Sequence, residues 1–218
     1  MKKIFLIASF ITFSIAANAQ MTLQTGGNNL TFKKSADFDD ATVAGSKYFT
    51  EQYNNAQVNN GTQSFLIRYN AYADLMEYKN GSETLELIKE KNVHFVFQDG
   101  SIYELLNYNL DNKDLSRYHQ ILVSNANSKV SKYKSIKLVP AKKASNSYDS
   151  DTQATYKANK DVYFVTYNNQ TVEFDGKEKT LSKLIPGKAS EIKEFYKSNK
   201  IKENDTDMIK LGHFLATL

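Results

Sequence analysis

Acid–base and metal chemistry need His, Asp, Glu or Cys brought together, and this chain offers few of them at a useful spacing. It has 3 His and 0 Cys in 218 residues. His94, His119 and His213 share no metal-ligand spacing, and no H-E-x-x-H run occurs. Their plain reading is structural or surface histidine. Asp149 with Asp151, and Asp111 with Asp114, are loosely calcium-like, yet neither pair has the loop glycine and distal glutamate of an EF-hand. No G-x-S-x-G elbow prepares a serine nucleophile, and no glycine-rich loop cradles a phosphate. The sequence thus nominates no catalytic residue, no metal ligand and no cofactor.

Three charged residues, Arg68, Asp74 and Glu77, interrupt an otherwise apolar segment. On a strand, Arg68 and Asp74 share a face but are too far apart to touch. As ligand contacts they would line a polar cavity in the sheet. As structural residues they would make cross-strand ion pairs on an outer face, which is the preferred reading. Lys129, Lys132, Lys134, Lys137, Lys142 and Lys143 form a second cluster, with no acid between Lys129 and Ser145. Such a block can attract anionic envelope polymers by Coulomb forces. The plainer alternative, again preferred, is a solvated strand face whose lysines protect an exposed edge. Tyr69, Tyr72, Tyr78, Tyr103, Tyr108, Tyr163 and Tyr167 suit an aromatic glycan-binding strip, or ordinary core packing with hydroxyls at the rim; packing is favoured. The candidate contacts are therefore Arg68, Asp74, Lys132, Lys134 and Lys137.

The first twenty residues state a destination. Lys2 and Lys3 precede the apolar run Ile4 to Ala16, and Ala17-Asn18-Ala19 presents small residues where signal peptidase cleaves. The expected product starts at Gln20 and is exported to the periplasm or the medium. Its 199 residues suit one domain, with or without a small appendage. Without cysteine it has no disulfide and no lipid anchor, so packing must stabilise it. The formal charge of +4 falls to +2 once Lys2 and Lys3 are removed. That is too little for a nucleic-acid ligand. No later apolar run is long enough to make a transmembrane helix in the mature chain.

The elements that must position these residues are mostly strands. Phe65, Ile67, Tyr69, Ala71, Ala73 and Leu75 alternate, which predicts one long half-buried strand over 64–79. Asn80-Gly81 then turns into a second β run, Thr84 to Lys89. Val93 to Phe97, Ser101 to Tyr108, Gln120 to Ser124, Tyr133 to Val139, Asp161 to Tyr167 and Thr171 to Phe174 continue the meander. A short strand is expected near Gly45 to Tyr53, and a loop over Ala141 to Asn159. From Lys177 the period becomes helical. Leu181, Leu184 and Ile185, then Ile192, Phe195 and Tyr196, then Met208, Leu211 and Leu215 form apolar stripes, the last capped by Asn204 or Asp205.

The order of these pieces resembles a group of exported Bacteroidetes proteins without assigned function. The resemblance rests on Gly45-Ser46-Lys47-Tyr48-Phe49, on Arg68-Tyr69-Asn70-Ala71-Tyr72-Ala73-Asp74-Leu75-Met76-Glu77, and on the tail from Leu184-Ile185 through Glu191 to Lys197 and Asp207 to Lys210. Its most specific part is the Arg-Tyr-Asn-x-Tyr-x-Asp-x-x-Glu string. It implies a β-region followed by helices, and no activity. The expected fold is α+β: an antiparallel meander (rolled sheet, open barrel or sandwich), then two or three short C-terminal helices. Residues 1–19 are read as the leader, 20–44 as a polar, partly ordered segment, 45–175 as the β-region and 176–218 as helices packed on it. The expected role is a non-enzymatic envelope module that binds or scaffolds a polymer or protein partner. The alternative is a small-molecule or lipid carrier using the interior of the sheet.

Overall fold

Apolar–polar alternation builds the sheet, and it begins earlier than the polar N-terminal sequence suggests. The computed structural model describes residues 20–25, 28–35, 42–59, 61–144 and 150–218. Residues 1–19, expected to be a leader, lie outside them, as do Gly26, Gly27 and Asp149. Strands β1 (Gln20–Thr25) and β2 (Asn28–Lys34) pair with each other, and β2 buries Leu30 and Phe32. Residues 20–25 and 28–34 are therefore part of the sheet. The short strand expected over 45–53 is absent; that stretch is irregular and β3 (Asn54–Val58) follows it.

The long strand expected over 64–79 is two strands. β4 (Ser64–Asn70) and β5 (Leu75–Asn80) form a hairpin around a turn at Ala71 to Asp74. Asp74 takes φ +55, and the Asn70 side chain accepts a hydrogen bond from the Ala73 amide. Period two continues through the turn by coincidence, so nothing in the apolar pattern announces it. Phe65, Ile67, Tyr69 and Ala71 are buried as expected, but Leu75 is only half-buried and Ala73 is exposed. Asn80-Gly81 does make the next hairpin, into β6 (Glu83–Leu87), with Gly81 at φ +61.

The remaining strands are β7 (His94–Phe97), β8 (Ile102–Leu110), β9 (Lys113–Ser124), β10 (Ser128–Tyr133), β11 (Ile136–Val139), β12 (Thr155–Ala158), β13 (Val162–Tyr167) and β14 (Gln170–Glu173). Asp111-Asn112 and Asn168-Asn169, all at positive φ, close the β8–β9 and β13–β14 hairpins. β12 lies inside the stretch expected to be loop; with β11 it forms a separate two-stranded ribbon. The other twelve strands make one antiparallel sheet in the order β1-β2-β6-β5-β4-β3-β7-β8-β9-β10-β13-β14. The sheet is not closed. Three helices follow: α1 (Glu178–Leu184), α2 (Ala189–Ser198) after a 3-10 turn at Pro186–Lys188, and α3 (Asp205–Leu215). None of the described helices is long and apolar enough to cross a membrane. The chain is α+β.

Two large cores result. The first lies inside the N-terminal strands, where Phe32, Ile67, Met76, Phe95 and Tyr118 are almost fully buried. The second lies between the helices and β9, β10, β13 and β14; Val130 and Val165 meet Leu181, Ile192, Met208 and Leu211 there. β8 and β9 serve as a shared wall buried on both faces. Leu105 and Tyr118 belong to the first core, whereas Leu106 and Tyr108 pack with Phe164 on the opposite face. β14 comes back close to β8 without pairing to it.

Candidate functional site

The residues of the most specific string all sit on the β4–β5 hairpin, and their bonds are internal. Arg68 and Glu77 face each other across the two strands, with Nη2 to Oε2 at 2.6 Å. Arg68 Nη1 donates to the Glu51 carbonyl at 2.7 Å, and Nη2 also donates to the hydroxyls of Tyr48 and Tyr53. The rings of both tyrosines lie against the guanidinium, with centroids at 3.6 and 4.2 Å. Asn70 donates to Glu77 Oε1 at 2.8 Å. Burial, followed by the nearby Glu77 charge, pushes the Tyr48 hydroxyl well above the usual phenol range. The cross-strand pair expected from the sequence exists, but not on an outer face: Glu77 is 2% exposed.

Asp74 belongs to a separate network. Its carboxylate accepts from the Tyr69 hydroxyl at 2.9 Å, from the Tyr118 amide at 3.1 Å and from Lys89. Burial holds its pKa above the ordinary carboxylate range, against the pull of Lys89. The string is therefore a folding device. Arg68 and Glu77 clamp the strands to the 48–53 loop, Asn70 closes the turn and Asp74 ties it to β9.

The lysine block is dispersed by the fold. Lys132, expected on a solvated face, is buried and bonds both oxygens of Asp205 at 2.9 and 2.7 Å, with Asp161 at 3.5 Å. Tyr163 donates to Asp205 at 2.8 Å. Burial raises the Asp205 carboxyl, but the Lys132 and Tyr163 hydrogen bonds outweigh it and hold the pKa low. Lys132 thus pins α3 to the sheet. Lys134 is half-buried with its ammonium 4.3 Å from the Phe49 ring centroid, and burial lowers its pKa. Lys137 is exposed on β11, and Lys129 pairs with Glu104 at 2.5 Å.

The histidines stay apart. His119 is fully buried between Tyr108 Oη and Ser131 Oγ, each at 3.2 Å, and burial pushes its pKa down to about 3. It is a neutral core residue. His94 lies on β7 and His213 is exposed on α3. Asp114 accepts from Asn109, and Asp151 from the Ala144 amide. Among the described residues, no three His, Cys, Asp or Glu side chains gather as metal ligands. Most of the tyrosines pack: Tyr69, Tyr108 and Tyr163 are buried, Tyr78 and Tyr103 are partly so, and Tyr72 is exposed against Tyr156.

What spacing could not reveal is a small cleft of about 70 Å³, open to solvent, at the mouth of the first core. Its floor is Tyr69, Phe97 and Tyr103, with Tyr103 centroids at 5.3 Å from Tyr69 and 5.6 Å from Phe97. One wall is the loop carrying Phe49, Thr50 and Gln52, continued by Asn54. The other is the β7–β8 turn with Asp99 and Ser101. Arg68 reaches its rim. Asp99 Oδ1 accepts from the Ser101 amide at 2.8 Å and hydroxyl at 2.6 Å, and these bonds hold its pKa below the usual range. Phe49 is 40% exposed. Thr50 Oγ1, the Gln52 side-chain amide and Tyr103 Oη make no hydrogen bond within the described chain. Burial pushes the Tyr103 phenol up to about 12, so it is a neutral donor at ordinary pH.

The chain matches no protein-family model, no curated protein and no solved structure.

Proposed function

We propose that this is an exported, non-enzymatic binding module of the cell envelope, and that its ligand lies in the cleft between the 49–54 loop and the β7–β8 turn. The carrying observation is the cleft's composition. Thr50, Gln52 and Tyr103 offer polar groups not spent on the fold, set around a floor of aromatic rings. Ligand pockets combine apolar walls with a few convergent polar groups in this way. The clamp from Arg68 to Tyr48, Tyr53 and Glu77 holds the loop that forms one wall, so the site is largely pre-formed. Export is supported by Lys2-Lys3, the short apolar run and Ala17-Asn18-Ala19.

A carrier would hold its ligand inside the roll. That interior is filled by Phe32, Phe65, Phe95, Tyr118 and Met76, which favours binding at the mouth. The test has two parts. N-terminal sequencing of the exported product should begin at or near Gln20; an intact Met1 in the cytosol would contradict export. Amide and methyl NMR shifts should then be followed as soluble envelope fragments are added. Perturbations are expected at residues 49–54 and 97–103. Shifts confined to the methyls of Ile67 and Met76 would support the carrier instead.

A further inference from the structure

Resting on that binding reading, we propose that the cleft takes a neutral saccharide chain. Three features of the lining select this class. First, the charged groups at the site are already engaged by the protein. Arg68 is paired with Glu77 at 2.6 Å, and one Asp99 oxygen accepts from the Ser101 amide and hydroxyl. An anionic polymer would find no free cation in the lining and would meet the Asp99 charge. Second, the free groups are an amide, an aliphatic hydroxyl and a phenol, which donate to and accept from hydroxyls. A purely apolar ligand would strip water from them and return no hydrogen bond. Tyr103 and Phe49 give ring surface for the apolar faces of a sugar, beside polar groups for its rim.

The third feature concerns peptides. An extended peptide binds most simply by adding a strand to a sheet edge. The strands around the cleft (β3, β4, β7 and β8) each have a neighbour on both sides, so no edge is offered there. Recognition must come from side chains, which suits a polyhydroxylated chain passing through the open cleft.

The experiment titrates the exported chain with three oligosaccharides of equal length: a neutral glucose or mannose polymer, an anionic uronic acid polymer and a cationic glucosamine polymer. Calorimetry gives Kd, and amide shifts locate the site. The neutral chain should perturb residues 49–54 and 97–103. Its Kd should change less than about twofold between low salt and roughly 0.5 M, because no ion pair is being screened. Gln52→Ala and Tyr103→Phe should each weaken it roughly 2- to 10-fold, the loss of one hydrogen bond. Neither should shift the melting temperature, since these groups make no internal hydrogen bond.

Tighter binding of the anionic or cationic chain with steep salt dependence would overturn the saccharide class proposed. So would neutral binding that both variants leave unchanged. If a peptide or lipid headgroup perturbs those amides and no neutral saccharide does, the class falls while the binding reading stands. If none of these probes perturbs them, both fall.

Discussion

The two halves of this molecule bury a sheet face in different ways. Before the shared wall of β8 and β9, the sheet rolls onto itself and fills the space with rings. Phe32 packs at 5.2 Å from Tyr78, and Phe95 at 6.0 Å from Tyr118. Beyond the wall, the sheet cannot cover its own face and helices do so, with aliphatic stripes at Leu181, Ile192, Met208, Leu211 and Leu215. The polar fasteners differ too. The roll uses the Arg68–Glu77 pair, formed within one hairpin. The helical cover uses Lys132–Asp205, which joins residues far apart in sequence. The roll leaves an open mouth lined by loops and aromatic rings, and the candidate site sits there.

Removing the cover should break the comparison most severely. A chain ending at Asp175 would expose Val130, Tyr163 and Val165 to water. It should bind hydrophobic dyes and melt at a lower temperature. An unchanged melt would make the helices an independent appendage. Next is Glu77→Ala, which strands a largely buried guanidinium and should cost about 3–5 kcal/mol in urea unfolding. Asp205→Ala leaves the buried Lys132 ammonium with only Asp161 at 3.5 Å, but the lost carboxylate is 48% exposed, so it should cost less, about 1–3 kcal/mol. Equal losses would mean that the two fasteners are not different in kind.

Gly212 sharpens the account of the cover. A Cβ there would lie 2.6 Å from Val123 Cβ on β9. Gly212→Ala should therefore lift α3 and cost about 1–3 kcal/mol. A neutral result would show that the helix can shift without loss.

Acid perturbs the shared wall through His119. An unfolded His119 protonates near pH 6.5, whereas the buried ring does so only near 3. The unfolded chain therefore holds the extra proton across that window, and stability falls as pH drops below 6.5. The slope from this group is about 1.4 kcal/mol per pH unit. Unfolding curves for wild type and His119→Gln should converge as the pH is lowered. Parallel curves would mean that the ring is hydrated.

The sequence carried the helices and most hairpins because their signals are local. Asn80-Gly81, Asp111-Asn112 and Asn168-Asn169 turn where their dipeptides say, and Met208, Leu211 and Leu215 are buried as their spacing predicts. The break at Ala71 to Asp74 stayed hidden because Asn70 and Asp74 make that turn without glycine or proline. β1 escaped because its Gln and Thr residues are weakly patterned, with only Met21 and Leu23 as anchors. The cleft escaped because Gln52 and Tyr103 are brought together only when β3 pairs with β7. Lys132 looked solvated because its partner, Asp205, is on a helix 73 residues away.

The central claim is that two differently built cores unfold as one unit because β9 lines both and β8 is paired to it along its length. Native-state hydrogen exchange in mild denaturant tests it directly. The account predicts that the amides of Leu105 and Tyr118 exchange only on global opening. Ile67 in the roll and Leu211 in the cover should exchange with that same free energy. If Leu211 and Val165 open at a distinctly lower free energy while Ile67 stays protected, the halves are separate foldons and the shared wall does not couple them.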